Sequence, residues 1–395
     1  MSGVRSGREG GTQLLLPPTG HRRGPARRSA VFYNPAMALD RDIGVAVARR
    51  LAATNSSAKW TAWEMLSATG ARGLRMLGES DLFGRILLSE RNRAAVGVLE
   101  RNARPFEGRG ARVVRADARG TVSSRPFDYV DLDPFGSPLP FLDTAVASVR
   151  DGGVIAVTAT DLAVLAGAAR EPCERRYRAR PLRGRLGPEG GLRILLATLE
   201  RRARGEGRKI SPLLAYVLGH HLRAYVRVAP SGGAEGTPSV SEIPTAEWDG
   251  PPLPAGQTFG PMWIGPILDP EFVAGMDVPP TAAERPVLSA LLRRWREESE
   301  VASPLFYEPN EIARVLRLSE PPGLERMMAK LRDRGYPAAR SHLRPSAFRT
   351  TAPWVVVAES ARAGAEGRVD TELLPPTRPG SRASRQPVPT RGGGG

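Results

Sequence analysis

The chain contains 395 residues, which is enough for two domains that each bury a hydrophobic core. No apolar run approaches the roughly 18 residues of a membrane-spanning helix, so we predict a protein without a membrane partner. Cys173 is the only cysteine, which excludes an intrachain disulfide framework and any multi-cysteine zinc site, and fits a cytoplasmic chain.

The charge is strongly positive, with 57 basic and 41 acidic residues and a formal net charge of +16. Only Lys59, Lys209 and Lys330 are lysines, so arginine carries nearly all of the positive charge. Because the planar guanidinium group pairs with phosphate and stacks on bases, this excess indicates a nucleic-acid partner. The alternative is that much of the charge lies on solvated faces.

The ends and the middle of the chain differ in composition. Residues 1–28 and 362–395 are rich in Gly, Arg and Pro and are predicted to be disordered tails. Residues 60–160 alternate strand-like and helix-like segments, a pattern typical of βαβ units around a parallel sheet. We predict strands at 61–67, 84–90, 111–117, 127–133 and 152–160, a helix at 190–206, and strand material at 216–228 that closes the sheet.

A segment rich in Pro and Gly, residues 229–257, breaks this pattern and marks the predicted domain boundary. The first domain then covers residues 29–228, and a smaller α+β domain covers residues 229–361. In the second domain, two short helical patterns at 309–318 and 323–336 are separated by "SEPP". They predict a winged-helix-like unit or, alternatively, a plain helical hairpin.

Three of the predicted strands end in an acidic residue: Glu90, Asp117 and Asp133. The segment "SATGARG" (67–73) allows close backbone approach to a ligand but lacks the G-x-G-x-x-G spacing of dinucleotide sites. An acid about 20 residues after such glycines can accept hydrogen bonds from both ribose hydroxyls. Asp117 or the next amide can contact an adenine edge. Each acid alone could be a cap, but together they favour a nucleoside without a pyrophosphate, such as S-adenosylmethionine.

The segment "DLDPFGSP" (131–138) places two carboxylates, a proline, a ring and a glycine at the end of a buried strand. In open α/β sheets ligands bind at the carboxyl ends of the strands, so this turn predicts a site of chemistry. An ordinary strand-to-helix turn capped by Asp133 is the alternative.

Seven blocks of sequence resemble the tRNA (guanine-26 N2)-dimethyltransferases. The blocks occur in order over residues 31–353, and the similarity therefore covers the body of the chain. They are "VFYNPAMALDRDIGV", "EMLSATGARGLR", "DLDPFGSP", "TATDLAVLAG", "RPLRGRLGPEGGLRILLA", "GPMWIGPI" and "SHLRPSAFRTTAP". The resemblance implies methyl transfer from S-adenosylmethionine to the exocyclic amine of a guanine in tRNA, by a Rossmann-like class I methyltransferase domain followed by a tRNA-binding domain.

The resemblance also implies roles for individual residues. The residues implied to bind S-adenosylmethionine are Arg41, Arg72, Glu90, Asp117 and Ala118. Asp133 is implied to be catalytic, with Phe32 and Phe135 holding the target base. Arg75 lies one helical turn from Arg72 and could exchange roles with it. No metal is expected, because the cysteine cluster that many family members carry between the two halves is absent here.

The residue types of the turn suit this chemistry independently of the resemblance. Guanine's amine is a poor nucleophile because its lone pair is delocalised into the ring. The carboxylate of Asp133 and the carbonyl of Pro134 can accept the two amine hydrogens and orient the nitrogen toward a methyl group. Phe32 and Phe135 can sandwich a base that has left its stack. For Asp131 we expect a structural role, either pairing with an arginine or supporting the turn.

Residues 170–185, "REPCERRYRARPLRGR", contain seven arginines together with Tyr177. Cations and a ring beside the site predict contacts with the tRNA backbone, and we assign Arg175, Arg176 and Arg178 to RNA binding. A solvated basic loop is the alternative, in which case we expect the RNA surface around Arg340, His342 and Arg349.

The sequence thus predicts a cytoplasmic tRNA methyltransferase, with tRNA as the one inferred partner. Two rival functions remain. One is an amino-methyltransferase that acts on DNA adenine through a related turn, which the D-P-F-G sequence disfavours. The other is an RNA-binding protein without catalysis, which the acids at 90, 117 and 133 disfavour.

Overall fold

The computed structural model describes residues 4–17, 31–55, 58–120, 124–232 and 240–366. The strands are β1 (Arg5–Glu9), β2 (Thr12–Leu16), β3 (Trp60–Glu64), β4 (Phe83–Glu90), β5 (Ala111–Arg115), β6 (Phe127–Leu132), β7 (Val149–Ala159), β8 (Arg208–Leu218), β9 (His221–Pro230), β10 (Val240–Pro244), β11 (Thr258–Trp263), β12 (Ala338–Arg340) and β13 (Phe348–Thr350).

The α-helices follow the same chain order. They are α1 (Ala38–Thr54), α2 (Ala71–Glu79), α3 (Arg93–Ala103), α4 (Leu139–Ser148), α5 (Leu162–Leu165), α6 (Arg170–Tyr177), α7 (Gly187–Arg204), α8 (Pro270–Ala274), α9 (Arg285–Ser299), α10 (Pro309–Leu316), α11 (Leu324–Asp333) and α12 (Trp354–Glu366). Among the described residues, no helix is both long and apolar enough to cross a membrane.

A seven-stranded sheet forms the centre of the molecule, in the order β5-β4-β3-β6-β7-β9-β8. The five strands from β3 to β7 pair in parallel, and the β8–β9 hairpin adds antiparallel strands at one edge. The predicted parallel strands and the closing strand material are confirmed. Because parallel strands end at the same edge of a sheet, the residues after β3, β4, β5 and β6 lie along one edge.

The central strands are apolar because both faces of the sheet are covered. β6 and the second half of β7 are almost fully buried, as is typical of parallel sheets. α2 packs beside β4, α3 beside β5, and α7 against β8 and β9. This packing holds the strand ends in place, so the loops that follow them start from a rigid base.

The N-terminal segment is ordered, contrary to the predicted disordered tail over 1–28. β1 and β2 form an antiparallel hairpin, and Leu14 is buried in the main hydrophobic core. Glu9 at the end of β1 is 5% exposed and accepts hydrogen bonds from Arg41, Arg75 and Tyr33. These partners lie far along the chain, so the composition of the segment did not reveal them. Residues 18–30 lie outside the described residues.

Two hydrophobic cores divide the chain later than the predicted boundary at 229. Side chains from β10, β11, α8 and α9, up to Leu305, belong to the same core as the central sheet. A second core begins at Tyr307 and includes residues of α10, α11, β13 and α12. In chain order it contains two helices, a two-stranded hairpin and a third helix, and the winged-helix-like unit stays a prediction. α12 extends to residue 366, beyond the predicted start of the C-terminal tail at 362, and residues 367–395 lie outside the described residues.

Candidate active site

The turn after β6 lies at the carboxyl edge of the sheet, as predicted. Gly136 has φ +79°, a left-handed conformation that glycine adopts without strain. Its amide donates to Thr160 Oγ1 (2.6 Å), and its carbonyl accepts from the Thr160 amide (2.9 Å). The turn that carries Asp133 and Phe135 is therefore tied to the residue that follows β7.

Arg72, in the first turn of α2, connects the acids of the site. Its Nη2 lies 2.6 Å from Asp40 Oδ2 and 2.7 Å from Asp133 Oδ2, and its Nε lies 3.8 Å from Asp131 Oδ1. The Arg72 side chain is 5% exposed, whereas that of Asp133 is 29% exposed. Asp133 Oδ1 accepts no hydrogen bond from the part of the chain that the structure describes, so one oxygen remains open for a ligand.

The surrounding charges keep Asp133 ionised. Burial raises the pKa of this carboxyl group, but attraction to Arg72 and Arg223 outweighs burial and leaves the pKa below its usual value. Asp40 has its pKa lowered in the same way, since Arg72 and His221 outweigh its burial. The site therefore presents a carboxylate, which accepts hydrogen bonds but does not donate them.

Asp131 has the structural role expected for it. It is 1% exposed, and its Oδ2 accepts hydrogen bonds from Arg223 Nη2 (2.6 Å) and from the Tyr129 hydroxyl (3.0 Å). Arg223 lies on β9 and is itself fully buried. The pair joins β6 to the antiparallel edge of the sheet and holds the strand that leads to Asp133.

Arg75 does not exchange roles with Arg72. Its guanidinium group is fully buried and binds Glu9 (3.0 Å), Asp42 (2.6 Å) and Glu79 (2.9 Å). All of these partners belong to the N-terminal hairpin or to α1 and α2, and Asp133 is not among them. Arg72 is therefore the arginine that reaches the turn.

Arg41 is also paired, which sequence reasoning did not anticipate. Its Nε donates to Glu9 Oε1 (2.6 Å), its Nη2 donates to the Asn34 carbonyl (3.0 Å), and its guanidinium lies 5.0 Å from the centre of the Tyr33 ring. The side chain is 8% exposed. A role in cofactor binding would add to this structural role.

Glu90 joins the ends of two strands. Its Oε2 accepts from the Ala68 amide (3.0 Å), within the glycine-bearing segment after β3, and its Oε1 accepts from the Asn92 amide (2.7 Å). A carboxylate has about four acceptor positions, so two remain. Asp117, after β5, is bound by Arg119 (2.6 Å) and Arg91 (3.3 Å).

Ala118 follows Asp117 and is 2% exposed. Its amide has no hydrogen-bond partner within the described ranges, so it can serve a ligand there. The three predicted cofactor positions Glu90, Asp117 and Ala118 thus follow neighbouring strands of one edge.

Phe32 and Phe135 are brought together, but without a gap between them. Their ring centres are 4.4 Å apart at an interplanar angle of 87°, so one ring meets the other edge to face. Phe135 is 69% exposed. A base can stack on the free face of Phe135, whereas the predicted sandwich requires the two rings to separate.

Sequence reasoning missed two buried acids of the site. Asp40 precedes Arg41 in "DRD" and binds Arg72, Tyr216 (2.6 Å) and His221 (2.9 Å); its place in that motif was the available signal. Glu64 is the last residue of β3 and has one oxygen, Oε2, without a partner among the described residues. Burial and the nearby Asp131 raise its pKa to about 8.

The basic segment after β7 is partly helical and presents two different faces. Arg175, Arg176 and Arg178 are exposed, and their guanidinium groups pair with no carboxylate in the described part of the chain. Tyr177 is fully buried, so its predicted contact with RNA is wrong. The ring faces inward because its hydroxyl binds Ser137 and Asp161.

The alternative prediction of an RNA surface around Arg340, His342 and Arg349 is also largely wrong. Arg349 is 2% exposed and binds Glu189 (2.8 Å) and Glu298 (2.6 Å). The His342 side chain is 1% exposed and bonds to Glu298. Arg349 and His342 therefore belong to a buried network between the two cores. Of the three residues, only Arg340 has a side chain with substantial exposure.

A cleft of about 680 Å³ lies between the two cores. Its walls come from residues 180–186, the proline-rich residues 251–254 and α10, and its lining includes Arg183, Arg185 and Arg314. Arg185 and Arg314 are paired with glutamates, and Arg183 is exposed without a carboxylate partner among the described residues.

Across the whole described part of the chain, no three His, Cys, Asp or Glu side chains are grouped to hold a metal ion.

A mostly parallel sheet with acids after successive strands, and a carboxylate–proline–ring turn after β6, defines a Rossmann-like class I methyltransferase. The family model for N2,N2-dimethylguanosine tRNA methyltransferase matches residues 23–244 and 254–362, and the chain belongs to this family. A tRNA (guanine(26)-N(2))-dimethyltransferase of Thermococcus kodakarensis is 36% identical over 83% of this chain and 92% of its own length. Its counterpart from Pyrobaculum arsenaticum is 35% identical over 87% and 94%.

The fold agrees with a solved structure. The structure of Trm1 from Pyrococcus horikoshii in complex with S-adenosyl-L-methionine has a TM-score of 0.78 and 31% sequence identity, and the match covers 90% of this chain and 99% of that one. The similarity extends through both hydrophobic cores, so it is not limited to the sheet.

Proposed function

We propose that this chain transfers methyl groups from S-adenosylmethionine to the exocyclic N2 of a guanine in tRNA, at position 26, giving N2,N2-dimethylguanosine. One observation carries the assignment of the site: Asp133 is held by Arg72 through one oxygen, keeps the other open, and stands beside the exposed ring of Phe135. Family membership supports the substrate, because the named relatives act on guanine 26 of tRNA.

The residues at the strand ends fit S-adenosylmethionine. Glu90 has acceptor positions left for the ribose hydroxyls, and the Ala118 amide beside Asp117 is open to an adenine edge. Arg72 on α2 and Arg41 on α1 complete the proposed binding set. The cofactor supplies an electrophilic methyl group when it is bound. We place no metal in the site.

Asp133 orients the amine and compensates its charge. Because its pKa is low, the carboxylate is ionised at neutral pH and accepts a hydrogen bond from the amine, while the Pro134 carbonyl can accept from the other hydrogen. As the nitrogen forms its new bond it becomes positive, and a fixed carboxylate stabilises that charge. A methylated guaninium amine is strongly acidic, so even a weakly basic carboxylate can take its proton.

Phe135 provides a stacking surface for the target base. Base–aromatic stacking is worth roughly 1–3 kcal/mol, and a base must leave the RNA stack before its amine can reach Asp133. Phe32 can contact the same base once the two rings part. Arg175 and Arg176 on α6, and Arg178 directly after it, are proposed to bind tRNA phosphates in the cytoplasm, where tRNA is available.

Substitution of Asp133 tests this function. Asp133→Ala should lower kcat for tRNA methylation by about 10² to 10⁴, because one positioned acid/base group is lost. Asp133→Asn keeps the shape and should also lose most activity, since the amide lacks the charge. Calorimetry with S-adenosylhomocysteine should give a Kd close to that of the wild type for both variants. Either variant retaining more than a third of wild-type turnover would remove Asp133 from the proposed role.

A further inference from the structure

The turn of residues 134–137 is held by two contacts that the proposed chemistry does not use. Gly136 exchanges two hydrogen bonds with Thr160, at 2.6 and 2.9 Å. The Ser137 hydroxyl lies 2.7 Å from the Tyr177 hydroxyl, which in turn lies 2.8 Å from Asp161 Oδ2. Thr160 and Asp161 follow β7, and Tyr177 ends α6. Two separate elements therefore bind the turn, and neither of them carries Arg72.

The polarity of the second contact follows from the acceptor at its end. A carboxylate oxygen only accepts, so the Tyr177 hydroxyl donates to Asp161 and has lone pairs left to accept from Ser137. The chain of bonds runs from Ser137 through Tyr177 to Asp161. Tyr177 is fully buried, whereas Ser137 and Asp161 are partly buried, so the tyrosine hydroxyl depends on these two partners.

The turn needs such support because its own residues do not supply it. Gly136 sits in a left-handed conformation and has the least restricted backbone of any residue type. Phe135 is 69% exposed, and its ring contacts that of Phe32. Arg72 binds the Asp133 carboxylate, and among the described residues it donates no hydrogen bond to residues 134–137. Without Thr160 and Tyr177, the Pro134 carbonyl and the Phe135 ring could move relative to Asp133.

We propose that Thr160 and Tyr177 are positioning residues that hold the Pro134 carbonyl and the Phe135 ring in register with the Asp133 carboxylate. They align the base with the methyl donor, and this inference rests on the proposed methyl transfer. A misplacement of about 1 Å can cost roughly 10²-fold in rate. The loss should therefore appear in kcat, with binding of the cofactor and of tRNA unchanged.

Thr160 allows a clean test because it is exposed and its substitution does not open the core. Thr160→Val keeps the shape but removes the acceptor of the Gly136 amide, and we expect kcat to fall about 10- to 100-fold. Thr160→Ser keeps the hydroxyl and should stay within about threefold of the wild type. The KM for tRNA and the Kd for S-adenosylhomocysteine should change by less than about twofold in both.

Tyr177→Phe provides the second arm, with Tyr307→Phe as its control. Both tyrosines are buried and have raised pKa values through burial, but the Tyr307 hydroxyl bonds to none of the described residues. Tyr177→Phe should lower kcat about tenfold with a melting temperature close to that of Tyr307→Phe, which should retain full kcat. Wild-type kcat in Thr160→Val, or an equal loss in Thr160→Ser, would overturn the inference and leave the proposed function standing. A wild-type enzyme that methylates no tRNA guanine would overturn both.

Discussion

Arg72 and Arg75 lie one turn apart on α2, and both are buried, yet they belong to different parts of the molecule. The three carboxylate partners of Arg75 are at most 5% exposed, and they tie α2 to the N-terminal hairpin and α1. Arg72 also faces three carboxylates, but one of them, Asp133, is 29% exposed and opens to the ligand edge. Arg75 pairs with carboxylates inside the scaffold, whereas Arg72 holds a carboxylate that faces the site.

A buried arginine can serve the site when one of its carboxylate partners has an oxygen that is open to a ligand. Both guanidinium groups require carboxylates, because an unpaired buried charge costs several kcal/mol. Only in the Arg72 cluster does a carboxylate oxygen remain open. Two buried arginines one helical turn apart thus have different roles, and substitutions should distinguish these roles.

The largest expected effect is on stability, from Arg75→Ala. This change leaves Glu9, Asp42 and Glu79 buried without their shared cation, so the free energy of unfolding should fall by about 3–5 kcal/mol. Urea unfolding measures it. Arg85→Ala, at an exposed position of β4, is the control and should change stability by no more than about 0.5 kcal/mol. Equal effects of the two substitutions would contradict the scaffold role of Arg75.

The same scaffold cluster should make stability depend on pH through Glu9. Burial raises the pKa of Glu9, but the hydrogen bond and charge of Arg41, with Tyr33 and Arg75, lower it to about 2. Because the folded-state pKa is depressed from 4.5, the contribution is complete above about pH 4.5 and is lost as pH falls toward 2. It amounts to about 3 kcal/mol. Glu9→Gln should flatten the stability profile over this range, and an unchanged profile would exclude the pairing.

A smaller effect, on turnover, is expected from Arg72→Lys. Lysine keeps the positive charge but has a single nitrogen, whereas the Arg72 guanidinium binds Asp40 and Asp133 through Nη2 and faces Asp131 through Nε. We expect kcat to fall about 10- to 100-fold, with a loss of stability well below that of Arg75→Ala. Arg75→Lys should show the reverse pattern. If both lysine variants lost activity and stability in the same proportion, the distinction between the two arginines would fail.

Exposed arginines extend the comparison to a third kind of environment. Arg175, Arg176 and Arg178 have no carboxylate partners among the described residues, so each can neutralise a tRNA phosphate. Replacing all three with alanine should reduce the slope of log affinity against log salt by about two to three units. The matched triple lysine variant keeps the charge and should keep the slope. An unchanged slope in the alanine variant would move the RNA surface elsewhere, for example to the cleft around Arg183.

The sheet and the turn after β6 were predictable because their signals are local. Apolar runs that end in an acid identify β4 and β6, and "DPFG" is a short turn with its chemistry in adjacent residues. The hairpin of β1 and β2 was not predictable, since its strands have five residues each and resemble a flexible basic tail. The hairpin is held by the burial of Leu14 and by Glu9, whose partners lie 24 to 66 residues away.

Partnerships across the sheet were also outside the reach of local patterns. Arg223 binds Asp131 at a separation of 92 residues, and Tyr216 binds Asp40 at 176. Nothing near Tyr177 indicated that its ring faces inward, because the surrounding arginines suggested an exposed loop. Charge pattern predicts the type of partner for a segment, whereas burial decides which side chains meet that partner.

Nucleoside mass spectrometry tests methylation of a tRNA guanine at N2 most directly. tRNA incubated with the wild-type protein and S-adenosylmethionine should yield N2-methyl- and N2,N2-dimethylguanosine. A tRNA with adenine in place of guanine 26 should yield neither, and the Asp133→Asn variant should yield much less of both. If the protein binds S-adenosylmethionine but forms neither nucleoside, or if the methyl groups are found on another base, the proposed function is wrong.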